Sequence, residues 1–200
     1  TYDGTDTNWT TINGTSTVEL REIGLGDFNG DGLTDIFYPD GTDWLYTPVI
    51  NGAVTGYQTL NAGRQATFAD GLALADFDGN GLTDILHVTN NQWLVTYDGT
   101  DTNWTTINGT STVVLDELGT GEFNGDGLAD LLYPNGTDWL YTPVIGGAVT
   151  GYQTLNAGRQ ATFADGLLTG FAAGDADSDG VGNHVCLLYT SDAADDETSG

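Results

Sequence analysis

The sequence predicts an all-β fold, a β-propeller of about four antiparallel blades with four strands each. Three observations support this prediction. The 200-residue chain repeats itself at two scales, its apolar residues come in short runs, and Asn-Gly and Asp-Gly turns separate those runs. No stretch keeps a helical period over about 11 residues or more, so helices are not expected.

The longer repeat has an offset of 95 residues. Residues 1–72 recur at 96–167 with only ten differences, which indicates a recent duplication. A weaker repeat of acidic loops lies inside it: "DFNGDGLTD" begins at Asp27, "DFDGNGLTD" at Asp76, "EFNGDGLAD" at Glu122 and "DADSDGVGN" at Asp175. Spacings of 49, 46 and 53 residues, each holding four short strands, are typical of propeller blades.

One unit shows the predicted strands clearly. Its apolar runs are "LALADF" (72–77), "TDILHVT" (83–89), "QWLVTYD" (92–98) and "WTTIN" (104–108). Whole blades are predicted at about 23–61, 72–108 and 118–156. Residues 168–185 and 1–12 would form a composite fourth blade that closes the ring. The alternative is a fragment of a larger propeller, whose open blade edges would allow self-association.

The last 15 residues depart from the repeat. Asp192 stands where the repeat would place a tryptophan, and "CLLYTSDAADD" from Cys186 onward matches no other unit. We interpret 186–200 as a non-native tail of adapter-derived sequence, and 1–185 as the propeller. The alternative is a diverged last blade with an acidic end.

The charge of the chain restricts its partners. There are 29 acidic residues against three basic ones, a formal net charge of -26. Nucleic acid and anionic membranes are therefore excluded as expected partners, since they carry the same sign. No apolar run is long enough to insert into a membrane, and one cysteine cannot form an internal disulfide.

The acidic loops predict Ca²⁺ sites. Oxygen-bearing side chains occupy positions 1, 3, 5 and 9 of each loop, glycine at position 6 permits a sharp turn, and position 7 offers a carbonyl. This layout matches the first half of an EF-hand loop, and hard oxygen ligands on a flexible loop suit Ca²⁺ better than Mg²⁺. The alternative is that these are ordinary Asp/Asn/Gly turns.

About one Ca²⁺ per loop, up to four in total, is expected. The predicted ligands are Asp27, Asn29, Asp31, Leu33 and Asp35; Asp76, Asp78, Asn80, Leu82 and Asp84; Glu122, Asn124, Asp126, Leu128 and Asp130; and Asp175, Asp177, Asp179, Val181 and Asn183. The leucines and the valine contribute backbone carbonyls. Glu122 makes the third site looser, and Asn183 weakens the fourth.

Three tryptophans keep the register of the repeat. Trp44, Trp93 and Trp139 each lie 17 residues after the first acid of their loop. The primary interpretation is core packing, and the alternative is a platform on which a sugar stacks. Arg64 and Arg159, in the repeated "GRQATFADG", either pair with acids such as Asp70 and Asp165 or contact an anion or a sugar carboxylate.

The chain is not expected to be an enzyme. His87 occupies a strand position where the other units have tyrosine, so packing is its predicted role. A Ser-His-Asp or Cys-His device would need a companion that no part of the sequence supplies.

The stretches "GDFNGDGLTDIFY" and "ADFDGNGLTDILHV" resemble the FG-GAP, or VCBS-like, repeats of integrin α-subunit propellers and of many secreted bacterial proteins. The resemblance implies structural Ca²⁺ in the loops, an extracellular or cell-surface location, and binding or adhesion to an unidentified glycan or protein ligand without catalysis. Two alternatives remain open. One is a glycan-binding lectin, and the other is the scaffold propeller of a larger secreted carbohydrate-active enzyme.

Overall fold

The fold is described from a computed structural model, which covers residues 11–165, 167–169 and 185–187. Contacts divide the chain into two units, residues 1–112 with 145–148 and residues 113–144 with 149–200. The predicted composite blade lies almost entirely outside the described residues, so ring closure stays a prediction.

The first unit contains two antiparallel sheets of four strands. The first sheet has the order β1-β2-β3-β6, formed by β1 (Gly24–Gly26), β2 (Asp35–Pro39), β3 (Trp44–Thr47) and β6 (Gln58–Asn61). A separate hairpin, β4 (Val49–Ile50) with β5 (Ala53–Val54), lies between β3 and β6 in sequence. The second sheet is the meander β7 (Leu72–Ala75), β8 (Asp84–Thr89), β9 (Gln92–Thr96) and β10 (Thr105–Asn108).

Most residues of the third sheet belong to the second unit. Its strands are β11 (Gly119–Gly121), β12 (Asp130–Pro134), β13 (Trp139–Ile145), β14 (Ala148–Val149) and β15 (Gln153–Asn156), and both β14 and β15 pair with β13. Beyond it, β16 (Leu167–Thr169) pairs antiparallel with β17 (Val185–Leu187). This pairing runs two residues past Val185, where the propeller sequence is predicted to end.

In the part of the chain that the structure describes, the helical content consists of five single 3₁₀ turns at Leu20–Glu22, Phe68–Asp70, Tyr97–Gly99, Leu115–Glu117 and Phe163–Asp165. No helix in the described residues has the length and apolarity needed to span a bilayer. The predicted all-β class of antiparallel, blade-like sheets is therefore confirmed.

The hairpin β4–β5 is an element that the sequence reading missed. Its turn residues Asn51 and Gly52 both have positive φ, 50° and 80°, as a type I′ turn requires. Gly146 and Gly147 take the equivalent positions before β14, with φ of 59° and 80°. The Asn-Gly signal was visible, but two-residue strands are too short to show an alternating pattern.

The register tryptophans lie in the core. The side chains of Trp44 and Trp93 are 0% exposed and that of Trp139 is 7% exposed. The indole N–H of Trp44 donates to the Ala66 carbonyl at 2.7 Å, and that of Trp139 donates to the Ala161 carbonyl at 2.8 Å. Each indole therefore fills its sheet's core, and in the first and third sheets it also fixes the segment after the last strand.

This packing predicts a large stability cost for removing one indole. Trp93→Ala should lower the free energy of unfolding by about 3–5 kcal/mol, because the site loses apolar burial and gains a cavity. Chemical denaturation measures the change. Leu20→Ala is the control, since Leu20 is exposed and surface truncations alter stability by about 0.5 kcal/mol or less. Equal effects of the two substitutions would contradict the assigned core.

Candidate metal loops

The last acid of each described loop is a buried carboxylate at the start of a strand. Asp35, Asp84 and Asp130 begin β2, β8 and β12, and all three are 0% exposed. In each loop one oxygen accepts the backbone N–H seven residues earlier, from Phe28 at 3.0 Å, Phe77 at 2.7 Å and Phe123 at 2.8 Å. This bond closes the loop and holds its last carboxylate on the buried side of the loop.

The first acid of each loop organises the turn. Both carboxylate oxygens of Asp27 accept glycine N–H groups, from Gly30 at 2.7 Å and from Gly32 at 2.8 Å. Both glycines have positive φ, 77° and 75°, a conformation that favours glycine over residues with a Cβ. Asp76 accepts from Gly79 and Gly81 in the same way, and Glu122 accepts from Gly125 and Gly127.

The second loop brings three carboxylates together. One oxygen from each of Asp76, Asp78 and Asp84 lies within 4.8 Å of the other two. Oxygens that share one Ca²⁺ at 2.3–2.6 Å are at most about 5 Å apart, so this spacing fits the ion. Asp84 is buried and Asp78 is exposed, so the cluster is anchored in the sheet on one side and accessible to solvent on the other.

The first and third loops differ at position 3, where each has an asparagine. The amide nitrogen of Asn29 donates to Asp35 at 3.3 Å, and that of Asn124 donates to Asp130 at 3.2 Å. These amides direct a donor, rather than an oxygen, at the buried carboxylate. Within the described residues, only the second loop groups three carboxylates this closely. The second loop therefore differs in geometry from the first and the third.

The leucine at position 7 of each loop uses its N–H group, and not its carbonyl, to bond the side chain at position 5. The N–H groups of Leu33, Leu82 and Leu128 donate to Asp31, Asn80 and Asp126 at 2.8, 2.7 and 2.9 Å. The fourth predicted set, Asp175, Asp177, Asp179, Val181 and Asn183, lies outside the described residues.

Asp98 is a member of the second loop that sequence reasoning missed. Its N–H donates to Asp84 at 2.7 Å, and its carboxylate accepts from the side chain of Asn80 at 2.7 Å. It lies in the 3₁₀ turn Tyr97–Gly99 with a φ of 55°. The "YDG" that follows a strand was the available signal, but it does not indicate contact with a loop 14 residues earlier.

The two loops of the first unit are connected to each other. The N–H of Asp27 donates to the Thr83 hydroxyl at 2.9 Å, and the N–H of Thr83 donates to the Asp27 carbonyl at 2.8 Å. Thr83 precedes the buried Asp84, so a change in one loop reaches the backbone of the other.

Burial and repulsion from neighbouring carboxylates raise the pKa of the buried aspartate that ends each described loop. The pKa of Asp84 rises from 3.8 to about 7 through burial, with a further rise from the charges of Asp78 and Asp76. Burial, then Glu122 and Asp126, raise the pKa of Asp130 to about 7. Burial also raises the pKa of Asp35, to which Asp31 and Asp27 add. These loops are electrostatically strained at neutral pH and would be relieved by a cation.

The structure describes the surroundings of the predicted ligand-contact residues. Because Trp44 and Trp93 are fully buried, neither ring has a face open to a sugar. The guanidinium carbon of Arg64 lies 4.9 Å from the ring centroid of Trp104 and 5.5 Å from that of Trp44, and one of its nitrogens donates to the Asp101 carbonyl at 2.6 Å. Arg159 lies 5.9 Å from the Trp139 ring.

The suggested pairing of the two arginines with Asp70 and Asp165 is not what the structure shows. These acids instead accept the N–H and hydroxyl of Thr67 and Thr162. Cation–π contacts and the hydrogen bond to the Asp101 carbonyl, rather than an ion pair, hold Arg64. His87 is half-buried, with Nε2 3.0 Å from the Asp70 carbonyl and its ring 5.3 Å from Trp104, which fits the predicted packing role.

Comparison with known proteins identifies the repeat. Residues 27–87, which include both loops of the first unit, match the model of the FG-GAP-like repeat family. The search of curated protein sequences found no match.

Two solved structures resemble the fold. The chain is similar to part of the Tc holotoxin pore of Photorhabdus luminescens, with a TM-score of 0.58 and 16% identity over 74% of this chain and 8% of that one. It is also similar to an Agrocybe aegerita lectin described as recognising non-reducing terminal N-acetylglucosamine, with a TM-score of 0.50 and 18% identity over 70% of this chain and 39% of the lectin. The acidic loops, the antiparallel sheets and the family match together show a β-rich domain with propeller-like sheets that contains an FG-GAP-like repeat over residues 27–87.

Proposed function

We propose that the chain is a calcium-binding, non-catalytic module that displays a binding or adhesion surface outside the cell. The observation that carries the proposal is the carboxylate triad of Asp76, Asp78 and Asp84, whose oxygens have the spacing that one Ca²⁺ requires. FG-GAP repeats can bind calcium and are typical of extracellular proteins, which supports both parts of the proposal.

The second loop is the proposed primary site. Asp76, Asp78 and Asp84 would hold the ion through carboxylate oxygens, and the Leu82 carbonyl and the Asn80 side chain are the further candidate ligands. A bound cation supplies positive charge to an acidic, partly buried loop. Asp84 links that loop to β8, and its bond from Asp98 links it to the turn after β9, so the ion would stabilise the sheet.

The first and third loops are proposed as weaker sites. Ligation through Asn29 or Asn124 requires the amide to turn, because each amide nitrogen now donates to the buried aspartate. This rearrangement costs a hydrogen bond to a charged group, worth about 1.5–3 kcal/mol. The second loop is therefore expected to bind Ca²⁺ more tightly than the first and third loops.

Glycan binding is a second candidate function, and a specific observation favours it. Two clefts of about 220 and 440 Å³ occupy equivalent places in the two units. Six lining residues are identical at equivalent positions: Glu22, Tyr38, Pro39, Thr67, Phe68 and Ala69 in the first cleft, and Glu117, Tyr133, Pro134, Thr162, Phe163 and Ala164 in the second. Carboxylates beside aromatic rings suit a neutral sugar, and the similar lectin offers terminal N-acetylglucosamine as the probe.

Removing one triad carboxylate should weaken calcium binding selectively. We expect Asp78→Asn to weaken the tightest site roughly tenfold or more in a calorimetric Ca²⁺ titration, because ligand charge sets affinity at such sites. Asp116→Asn removes the same charge at an exposed position outside the acidic loops and is the matched control. Equal losses in both variants, or no measurable Ca²⁺ binding by the wild-type chain, would refute the assigned site.

The raised pKa values predict an unusual pH dependence when a chelator is present. Between about pH 4 and pH 7 folded Asp84 and Asp130 retain protons that the unfolded chain has lost, so the free energy of unfolding should fall as pH rises. The slope is up to about 1.4 kcal/mol per pH unit for each group. Thermal melts from pH 5 to pH 8 should show a decreasing Tm, with a smaller slope in Asp84→Asn.

Calcium should reduce or reverse this trend, because it favours the ionised carboxylates. Asp116→Asn should keep the wild-type slope in chelator. A Tm that stays constant or rises between pH 5 and pH 8 without divalent cations would contradict the electrostatic description of the loops.

The glycan hypothesis is tested on an array that includes glycans ending in N-acetylglucosamine. If the clefts bind sugar, Tyr133→Ala should weaken the signal several-fold, because the variant loses an aromatic wall, whereas Leu20→Ala should not. An array with no signal from the wild-type chain would remove the lectin function and leave the calcium proposal intact.

A further inference from the structure

An apolar cavity of about 340 Å³ lies beside the first sheet, in the first unit. Its walls come from the segment before β1, from β2 and β3, and from the hairpin β4–β5. The N–H of Val54 donates to the Ile12 carbonyl at 3.3 Å, which joins two of these walls. The lining residues are Ile12, Asn13, Ser16, Val18, Ile23, Ile36, Thr47, Val54, Gly56 and Tyr57.

Thr47, one of the lining residues, carries an unpartnered hydroxyl whose oxygen is itself closed off from the cavity. Thr47 is 3% exposed, and its Oγ1 has no hydrogen-bond partner. A buried hydroxyl without a partner costs about 1–3 kcal/mol, so its persistence at this position calls for an explanation. Thr47 is the last residue of β3 and lies opposite Ile36 of β2.

The second sheet shows that the unpartnered hydroxyl is not a general consequence of this strand position. Thr96 ends β9 and lies opposite Ile85, in the same register as Thr47 opposite Ile36. There the hydroxyl donates to the Asp101 carbonyl at 3.3 Å. The first sheet has the hairpin β4–β5 in place of that chain segment, and with it the cavity.

The third sheet repeats the feature. Thr142 lies opposite Leu131, is 1% exposed and again has no partner for Oγ1. Of the ten residues that line the cavity, eight are identical after a shift of 95 residues, and Ile23 and Ile36 become Leu118 and Leu131. Both copies of the duplicated segment therefore keep the residue set and the unsatisfied hydroxyl.

We infer that the cavity beside Thr47 is a binding site for a small, neutral, mostly apolar molecule that carries one hydroxyl or carbonyl group. The apolar walls would bury the body of the ligand, and its oxygen would pair with the Thr47 hydroxyl after a rotation about χ1 that turns Oγ1 toward the cavity. The volume falls within the usual range for ligand pockets, about 300–1,000 Å³.

Charge limits the class of ligand. None of the ten lining residues is charged, so an ionic ligand would find no partner on these walls. The net charge of -26 adds a repulsive field against anions. A hydrocarbon would fit the walls but would leave the Thr47 hydroxyl unpaired, so a ligand with one polar group is favoured.

The test uses p-cresol and toluene, which differ by a single hydroxyl. Each is titrated into the full chain, and amide chemical shifts of residues around the cavity report binding. We expect p-cresol to bind about three- to tenfold more tightly than toluene, the contribution of one net hydrogen bond.

Three variants locate the effect. Thr47→Val removes the hydroxyl and should abolish the preference for p-cresol without destabilising the fold, because no existing hydrogen bond is lost. Ser16→Trp places a large ring at the exposed rim of the cavity and should block both probes. Thr142→Val makes the same chemical change in the other unit and should leave the preference at Thr47 unchanged.

Three results would overturn the inference. They are the absence of shifts near the cavity with either probe, equal affinity for p-cresol and toluene, and a preference for p-cresol that survives Thr47→Val. Equal affinity would mean that the ligand does not reach the Thr47 hydroxyl.

Discussion

The described sheets depend on one constraint, a carboxylate buried at the first residue of the second strand. Asp35, Asp84 and Asp130 each accept a backbone N–H across their loop, which fixes where the loop ends and the strand begins. Burying an anion costs several kcal/mol unless it is paired, and here the nearest charges are other carboxylates. Hydrogen bonds from the backbone offset part of that free-energy cost, and a divalent cation would offset more of it.

This arrangement explains why loop and sheet belong to one structural unit. The carboxylate is part of the strand, so whatever the loop binds acts directly on the sheet. Thr83 extends the connection to the neighbouring loop through its two bonds with Asp27. An ion bound in the second loop would therefore stabilise both sheets of the first unit, because the two loops share backbone contacts.

The sequence predicted the periodic features well. The strands, the buried tryptophans and the loop acids all follow from spacing, since a repeat imposes the same environment on each copy. The structure adds what spacing cannot show. Asn29 and Asn124 were assigned as ligands like Asp78, yet their amides donate to the buried acid, because an amide can present either a donor or an acceptor. Asp98 and the partner of Arg64 depend on contacts between strands and loops distant in sequence.

The calcium proposal places a divalent cation at the triad of the second loop. The most direct measurement is anomalous diffraction from crystals of the full chain grown with Ca²⁺ and then exchanged with Tb³⁺. The account predicts an anomalous peak within about 2.6 Å of carboxylate oxygens from Asp76, Asp78 and Asp84, stronger than any peak at the first loop. A well-ordered second loop with no peak, or with its strongest peak elsewhere, would contradict the account.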